Sequence, residues 1–397
     1  MIGLVSLLLC AVASILLVPV LVFALQVLSA SLSRRIGHGA AAPGLTRPRV
    51  AVLVPAHNEE GGILQTLQTL RAQLRADDRL LVVADNCSDA TADVARAAGA
   101  EVIERQHASL RGKGYALDFG VRYLGQNAPD IVVIVDADCQ LAPGSIERLA
   151  GQCARTGRAT QALYLMQAGP GAGLKQRIAE FAWQVKNLVR PLGFSVLGLP
   201  CQLMGTGMAF RWADISSVSL ASGHLVEDMK LGVDLALKGR APLFCAEALV
   251  TSRFPDNASG VVSQRTRWEH GHLSVIIREV PAMLWSGFGS RNLALIAMAL
   301  DLLVPPLALL CMLNAALVLL AAGFLVIWGS VMPLLASGLA LCLLGLAVML
   351  AWLRFGRTIV SLSDLCLAVV YACWKIPMYL KFIWGRQTEW VRTRRDE

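Results

Sequence analysis

Ile131 to Cys139 read IVVIVDADC. Five consecutive β-branched residues, Ile131 to Val135, are followed at once by Asp136 and Asp138. β-branched side chains favour extended backbone. A short run that is apolar throughout suits a strand buried on both faces. The same arrangement occurs twice upstream, at Arg49–Pro55 (RVAVLVP) and Leu80–Ala84 (LLVVA). Polar residues follow each run: Val54–Glu60 reads VPAHNEE, and Asp85–Thr91 reads DNCSDAT. Helical patterns lie between, at Glu60–Leu74, Ala90–Gly99 and Gly114–Gly125. Buried strands alternating with helices predict an α/β domain on a parallel sheet, of nucleotide-binding architecture. In such sheets ligands bind beyond the carboxyl ends of the strands, where these carboxylates fall.

The polar groups have a common chemical use. Alternate residues at a fraying strand end aim two carboxylates at one point. Mg²⁺ or Mn²⁺ takes hard oxygen ligands and is commonly shared between carboxylates and substrate phosphates. Taken singly, Asp85 and Asn86 read as turn formers, and Ser88 or Asp89 as a helix cap; three strand ends in succession argue for a site. Glu227-Asp228, ahead of a helical stretch, reads either as a helix start favoured by the dipole or as the source of a general base. Gln264–Trp268 (QRTRW) offers the planar fork of Arg267 for phosphate, the flat face of Trp268 and the amide of Gln264. It also reads as an amphipathic helix at a membrane surface. Lys113, in Arg111–Leu117 (RGKGYAL), stands between two glycines before a helix, where an ammonium and backbone N–H groups can meet a phosphate. No Gly-x-x-x-x-Gly-Lys-Ser/Thr pattern is present, which excludes a P-loop hydrolase.

The flanks belong to a membrane. Of the 397 residues, 55% are hydrophobic and 16% charged, against about 25% charged in ordinary soluble domains. Ile2 to Ala30 carries no charge, and Arg34, Arg35, Arg47 and Arg49 follow it. A signal peptide has the opposite polarity, so a span ending in the cytoplasm is expected. Two more spans are expected at Leu295–Leu320 and Met332–Leu353, turning at Gly329 and Ser330. Asp301, Pro305 and Pro306 interrupt the first; Asp301 reads as a functional group within the membrane or as a headgroup-level or capping residue. Ser361–Trp384 contains Asp364, Lys375, Pro377 and Lys381 and leads into the basic Trp390–Arg395, so an interfacial or re-entrant segment is expected over a span. The expected domains are residues 1–32, 47–290 and 293–397. The net charge of +8 is the cytoplasmic bias of membrane loops and calls for no nucleic acid. Ten cysteines without a Cys-x-x-Cys pair read as free thiols in a reducing compartment.

In this order the motifs resemble the family 2 glycosyltransferases. More narrowly they resemble the membrane-integrated branch with cellulose, hyaluronan and poly-N-acetylglucosamine synthases and ceramide glucosyltransferases. The resemblance covers Arg49–His272 and the placement of the spans. It implies a Rossmann-like GT-A domain inserted between N- and C-terminal transmembrane helices of the inner membrane. Pro55, Asn58 and Glu59 match the motif lining the uridine pocket, and Asp85 the aspartate at the base. Lys113 is implied near the nucleotide, and Asp136 and Asp138 at the diphosphate through Mg²⁺ or Mn²⁺. Gly205, Thr206 and Gly207, in Gly205–Phe210 (GTGMAF), match the acceptor side. Glu227 and Asp228 match the acidic pair whose Asp is the general base. Gln264, Arg267 and Trp268 match the motif that closes over the donor and frames the acceptor entrance. Asp85-Asn86-Cys87-Ser88 replaces the usual Asp-Asp-Gly-Ser step. The implied reaction is inverting transfer of a hexose or N-acetylhexosamine from a UDP-sugar to a growing polysaccharide of exopolysaccharide or capsule type. Fewer spans than in cellulose synthases keep open a single transfer to a lipid acceptor (polyprenyl phosphate, hopanoid or sphingolipid). Membrane lipids, and partner subunits for export or polymerisation, are the further partners implied.

Overall fold

The computed structural model describes residues 2–33, 47–169, 171–221, 226–254 and 258–384. Arg34, Arg35 and the basic Trp390–Arg395 lie outside the described residues.

An apolar helix, α1 (Ile2–Leu32), precedes the first half of the sheet. That half runs β1 (Val50–Ala56), α2 (Ile63–Arg71), β2 (Arg79–Asp85), α3 (Thr91–Ala97), β3 (Glu101–Arg105), α4 (Lys113–Leu124) and β4 (Ile131–Ile134). These strands pair in parallel. Successive side chains of a strand point to opposite faces. Val50, Val52, Val54, Val82 and Val133 meet Ile63, Leu67 and Leu70 of α2 on one face. Ala51, Leu53, Leu81, Val83 and Val132 meet Leu117 and Leu124 of α4 on the other. Helix α4 lies so close that a Cβ on Gly120 would stand 2.5 Å from Leu53 Cδ1.

The second half departs from the all-parallel expectation. It comprises β5 (Gln140–Leu141), α5 (Ser145–Thr156), β6 (Thr160–Gln167), α6 (Leu174–Gln184), the π-helical turn Val185–Val189, α7 (Arg190–Val196), β7 (Met208–Arg211), α8 (Trp212–Ile215), α9 (Glu227–Leu237) and β8 (Leu243–Arg253). The sheet order is β3-β2-β1-β4-β7-β6-β8-β5. Strand β7 is antiparallel to both β4 and β6, and β5 is antiparallel to β8. The α6–α7 excursion brings the chain back from the opposite direction, so β7 closes on β4 without a parallel crossover.

The remainder is helical: α10 (Ala258–Arg278), α11 (Val280–Gly289), α12 (Leu293–Leu303), α13 (Leu307–Trp328), α14 (Met332–Ala351), α15 (Leu362–Cys373) and α16 (Ile376–Trp384). Among the described residues, four stretches are long and apolar enough to cross a membrane: Ile2–Leu32, Leu307–Trp328, Met332–Gly356 and Leu362–Phe382. They mark a membrane-embedded protein. The expected span Leu295–Leu320 is instead two helices. Val304 and Pro306 are extended, with ψ of 105° and 132°, because consecutive prolines remove the N–H groups a helix needs. Helix α13 then runs on to Trp328, and Gly329 ends it at φ +72°. Asp301 is buried and accepts from Gln26 Nε2 and Gln202 Nε2, each at 2.6 Å, and from Arg190 Nη2 at 2.8 Å. It thus ties α1, α7 and α12 together rather than facing headgroups. Ser361–Trp384 is also two helices, and its polar side chains turn toward α6 and α10. Arg177 Nη2 donates to Asp364 at 3.0 Å, Lys175 Nζ stands 3.2 Å from the Trp374 ring centroid, and Arg265 Nη1 donates to the Tyr371 hydroxyl at 2.7 Å.

Candidate active site

The first two strand ends are braced to each other. After Pro55, Asn58 takes the left-handed conformation at φ +53°. Its side chain donates to Ser88 Oγ at 3.0 Å and accepts from Ser88 N at 2.7 Å. Glu59 N donates to Thr91 Oγ1 at 2.8 Å, and the Glu60 carboxylate accepts from Ala90 N at 2.9 Å. Asp85 is buried at the end of β2, where Arg105 Nη1 donates to its carboxylate at 2.5 Å and His57 Nδ1 to its carbonyl at 2.7 Å.

The third strand end meets α4 and the Gly205 loop. Gly112, at φ +122°, lets α4 begin at Lys113. Lys113 Nζ pairs with the Asp136 carboxylate and donates to Gly205 O at 2.7 Å. Burial opposes its charge, but Asp136, Glu227 and Asp228 outweigh burial and raise its pKa. Asp136 N donates to Thr206 Oγ1 at 3.0 Å. Asp136, Asp138 and Cys139 bring ligand atoms within 4.8 Å of one another, a group that can hold a metal ion. Burial pushes the Cys139 thiol far up, and Mg²⁺ and Mn²⁺ favour the hard carboxylate oxygens of Asp136 and Asp138 over sulfur.

Glu227 and Asp228 open α9, and burial raises the pKa of both, with Lys113 opposing. Bare backbone at Gly205, φ +89°, separates them from Lys113: a Cβ there would stand 3.5 Å from Asp228 Oδ2 and 3.8 Å from Lys113 Nζ. Helix α10 brings Gln264, Arg267 and Trp268 to the opposite wall. Arg267 Nε is buried without a hydrogen-bond partner. The Trp268 ring packs on Trp183 at 4.8 Å between centroids.

These residues enclose one cavity of about 590 Å³, in the range of small-molecule sites. Pro55, Glu59, Asp85, Lys113, Asp136, Asp138, Gly205, Glu227, Asp228, Gln264, Arg267 and Trp268 line it. Three residues named from the sequence lie behind that lining. Asn58 braces the strand-end loops, and Thr206 is buried behind Asp136. Gly207 is packed so tightly that a Cβ would meet Ala162 Cβ and Val250 Cγ2 at 2.7 Å. Sequence reading missed His57, Arg111, Tyr164, Trp183, Lys186, Asn187 and Met204, which also line the cavity. Trp183, Lys186 and Asn187 sit where α6 passes into the π-turn, and no motif marks that turn.

Residues 48–271 match the family model described as glycosyltransferase like family 2, and the chain belongs to that family. It is similar to the probable glycosyltransferase YdaM of Bacillus subtilis, 26% identical over 258 residues, 58% of this chain and 57% of that one. It is 33% identical over 103 residues to the 4,4'-diaponeurosporenoate glycosyltransferase of Staphylococcus haemolyticus, 25% of this chain and 26% of that one. The chain thus spans less than two thirds of the length of either relative. Among solved structures, the mannosyltransferase PcManGT of Pyrobaculum calidifontis, in complex with GDP-Man and Mn²⁺, shares the fold over 96% of this chain and 100% of that one. The TM-score is 0.56 at 18% identity.

Proposed function

We propose that the chain is an inverting glycosyltransferase that passes a hexose or N-acetylhexosamine from a UDP-sugar to a growing polysaccharide. The observation that carries this is the single cavity in which Asp136, Asp138, Lys113 and Arg267 stand together with Glu227 and Asp228. The proposed domain of residues 47–290 lies in the cytoplasm, against the inner membrane.

In the proposed reaction, Asp228 takes the proton from an acceptor hydroxyl. The oxygen attacks the anomeric carbon opposite the diphosphate, a new C–O bond forms, and the bond to the diphosphate oxygen breaks with its electron pair. An α-linked donor gives a β-linked product. Lys113 and Arg267 stabilise the departing nucleoside diphosphate. Mg²⁺ or Mn²⁺ fits the hard oxygens of Asp138 and Asp136, and when bound it neutralises charge on the diphosphate. Lys113 is paired with the Asp136 carboxylate and so stands beside the same diphosphate position. Pro55, Glu59 and Asp85 frame the nucleotide, with Gln264 over the donor. Trp268 and the Gly205 loop face the acceptor.

Two observations keep other substrates in view. The Pyrobaculum mannosyltransferase was solved with GDP-Man, so the nucleotide is part of the test. The candidate membrane spans flank the domain, and the Staphylococcus relative is named a 4,4'-diaponeurosporenoate glycosyltransferase; both support single-sugar transfer to a lipid acceptor as the second reading. The test is donor turnover by the full chain in lipid nanodiscs with Mg²⁺ or Mn²⁺. UDP-glucose, UDP-N-acetylglucosamine, UDP-galactose and GDP-mannose are screened for release of nucleoside diphosphate. Metal-dependent release from one donor, lost in Asp138→Ala, is expected. Release from none, with membrane lipid extract present as acceptor, overturns the proposal.

A further inference from the structure

Asp85, the last residue of β2, and Asn86 just beyond it line the reaction cavity. Parallel pairing sets Asp85 opposite Arg105, the last residue of β3. The ion pair follows from that register: Arg105 Nη1 donates to Asp85 Oδ1 at 2.5 Å. The guanidinium is held on its other sides as well. Its Nη2 donates to Leu110 O at 2.9 Å, and its Cζ stands 5.5 Å from the Tyr115 ring centroid. With side-chain exposures of 11% for Arg105 and 8% for Asp85, water competes little for the pair.

The same oxygen takes a second donor. Asn86, at φ +53°, turns its side chain back so that Nδ2 donates to Asp85 Oδ1 at 3.1 Å. Its amide has a fixed orientation, because Asn86 Oδ1 accepts from His107 N at 2.8 Å. Asn86 N donates to Arg105 O at 2.7 Å, which ties the two strand ends together. A carboxylate offers two acceptor oxygens. At Asp85, Oδ1 is used twice and Oδ2 makes no hydrogen bond among the described residues. One acceptor is therefore left for a ligand.

We propose that Arg105 is a positioning residue that sets the choice of nucleobase: by occupying Oδ1 of Asp85 it leaves a single acceptor, which fits a uracil edge and rejects guanine. The inference rests on the nucleotide-sugar reading above and concerns the base of that donor. The Watson–Crick edge of uracil presents one N–H between two carbonyls. That of guanine presents two N–H donors side by side, on N1 and N2, and is matched by both oxygens of one carboxylate. With Oδ1 filled, the guanine N2 amino group meets the Arg105 and Asn86 donors, donor against donor. A polar group desolvated without a partner costs free energy, and a site built around one hydrogen-bond pattern rejects the analogue that breaks it. Arg105 does not itself line the cavity, so it works through Asp85 rather than by touching the nucleotide.

The test is calorimetry on the full chain in lipid nanodiscs with Mn²⁺, titrated with UDP, GDP and inosine diphosphate. Inosine diphosphate keeps the size of a purine and lacks the N2 amino group, so it separates hydrogen bonding from bulk. UDP is expected to bind about tenfold or more tighter than GDP, and inosine diphosphate tighter than GDP. Arg105→Leu frees Oδ1 and should shrink the UDP-to-GDP ratio by about tenfold. Arg105→Lys, which can still donate to Oδ1, is expected to keep the parent ratio. The ratio is the readout because a merely loosened pocket weakens all three ligands alike. GDP binding as tightly as UDP in the unaltered chain overturns the inference and leaves the transferase reading standing. An unchanged ratio in Arg105→Leu also overturns it, since the size of the base would then decide. Should Arg105→Leu fold poorly, the unaltered chain decides alone, and equal binding of inosine diphosphate and GDP overturns the inference. Failure of the unaltered chain to bind any of the three with Mn²⁺ is a separate result that sinks the nucleotide-sugar reading, and this inference with it.

Discussion

Asp228 and Glu227 are adjacent and half-buried, and desolvation raises the pKa of both while Lys113 opposes it. A base must be deprotonated to accept the acceptor's proton, so activity is lost as pH falls through its pKa. The acid limb of kcat/KM is therefore expected above the ordinary aspartate range. Glu227→Gln removes a like charge beside Asp228 and should move that limb to lower pH; a limb that stays in place would assign the titration to another group. Asp228→Asn keeps the shape and loses the base. It should lower kcat by about 10²–10⁴-fold while nucleotide binding, read by calorimetry, stays nearly intact. Retention of most activity would remove Asp228 from the proposed role.

At the scale of elements, two joints hold the catalytic sheet to the helices around it. Asp301 is the acceptor at which α1, α7 and α12 meet, and its removal strands the Arg190 guanidinium in a buried position. Breaking a buried pair from one side costs about 3–5 kcal/mol, so Asp301→Ala should unfold at markedly lower temperature in detergent. Gly193 on α7 permits the contact with α1, since a Cβ there would stand 1.9 Å from Gln26 O. Helix α10 carries the second joint: Glu269 receives Lys375 at 2.5 Å and the Tyr379 hydroxyl, while His270 Nε2 donates to Met378 O at 2.9 Å. Glu269→Ala should free α16 from α10. Faster proteolysis within Trp374–Trp384 and roughly tenfold slower transfer are expected, in line with the cost of misplaced positioning groups. Unchanged proteolysis would show that the helix is held by its apolar contacts alone.

For the molecule as a whole, the reaction cavity and a smaller cavity that shares Trp183, Lys186 and Trp268 with it form one path from the sheet edge to the candidate spans. Incubation with radiolabelled donor and membranes should yield a ladder of water-soluble chains if the acceptor is the growing polysaccharide proposed above. A single organic-soluble species would instead assign one transfer to a lipid acceptor, the second reading.

The sequence by itself determined β1, β2 and β4 and the polar residues that follow them, several of which line the candidate site. Val and Ile runs specify buried strands locally, and the carboxylates that follow them fall on one edge as soon as the strands pair in parallel. It also marked the apolar helices, because hydropathy is a property of composition. It left β3, β6 and β8 unread, and it could not give β5 and β7, two and four residues long, whose pairing depends on neighbours distant in the chain. Pro305 and Pro306 were visible as an interruption, but only packing decided that α12 turns onto the catalytic domain with Asp301 as its anchor. The position of Lys186 was likewise decided by tertiary structure. A π-turn is held by packing on both sides of the helix, which is not written in the order of residues.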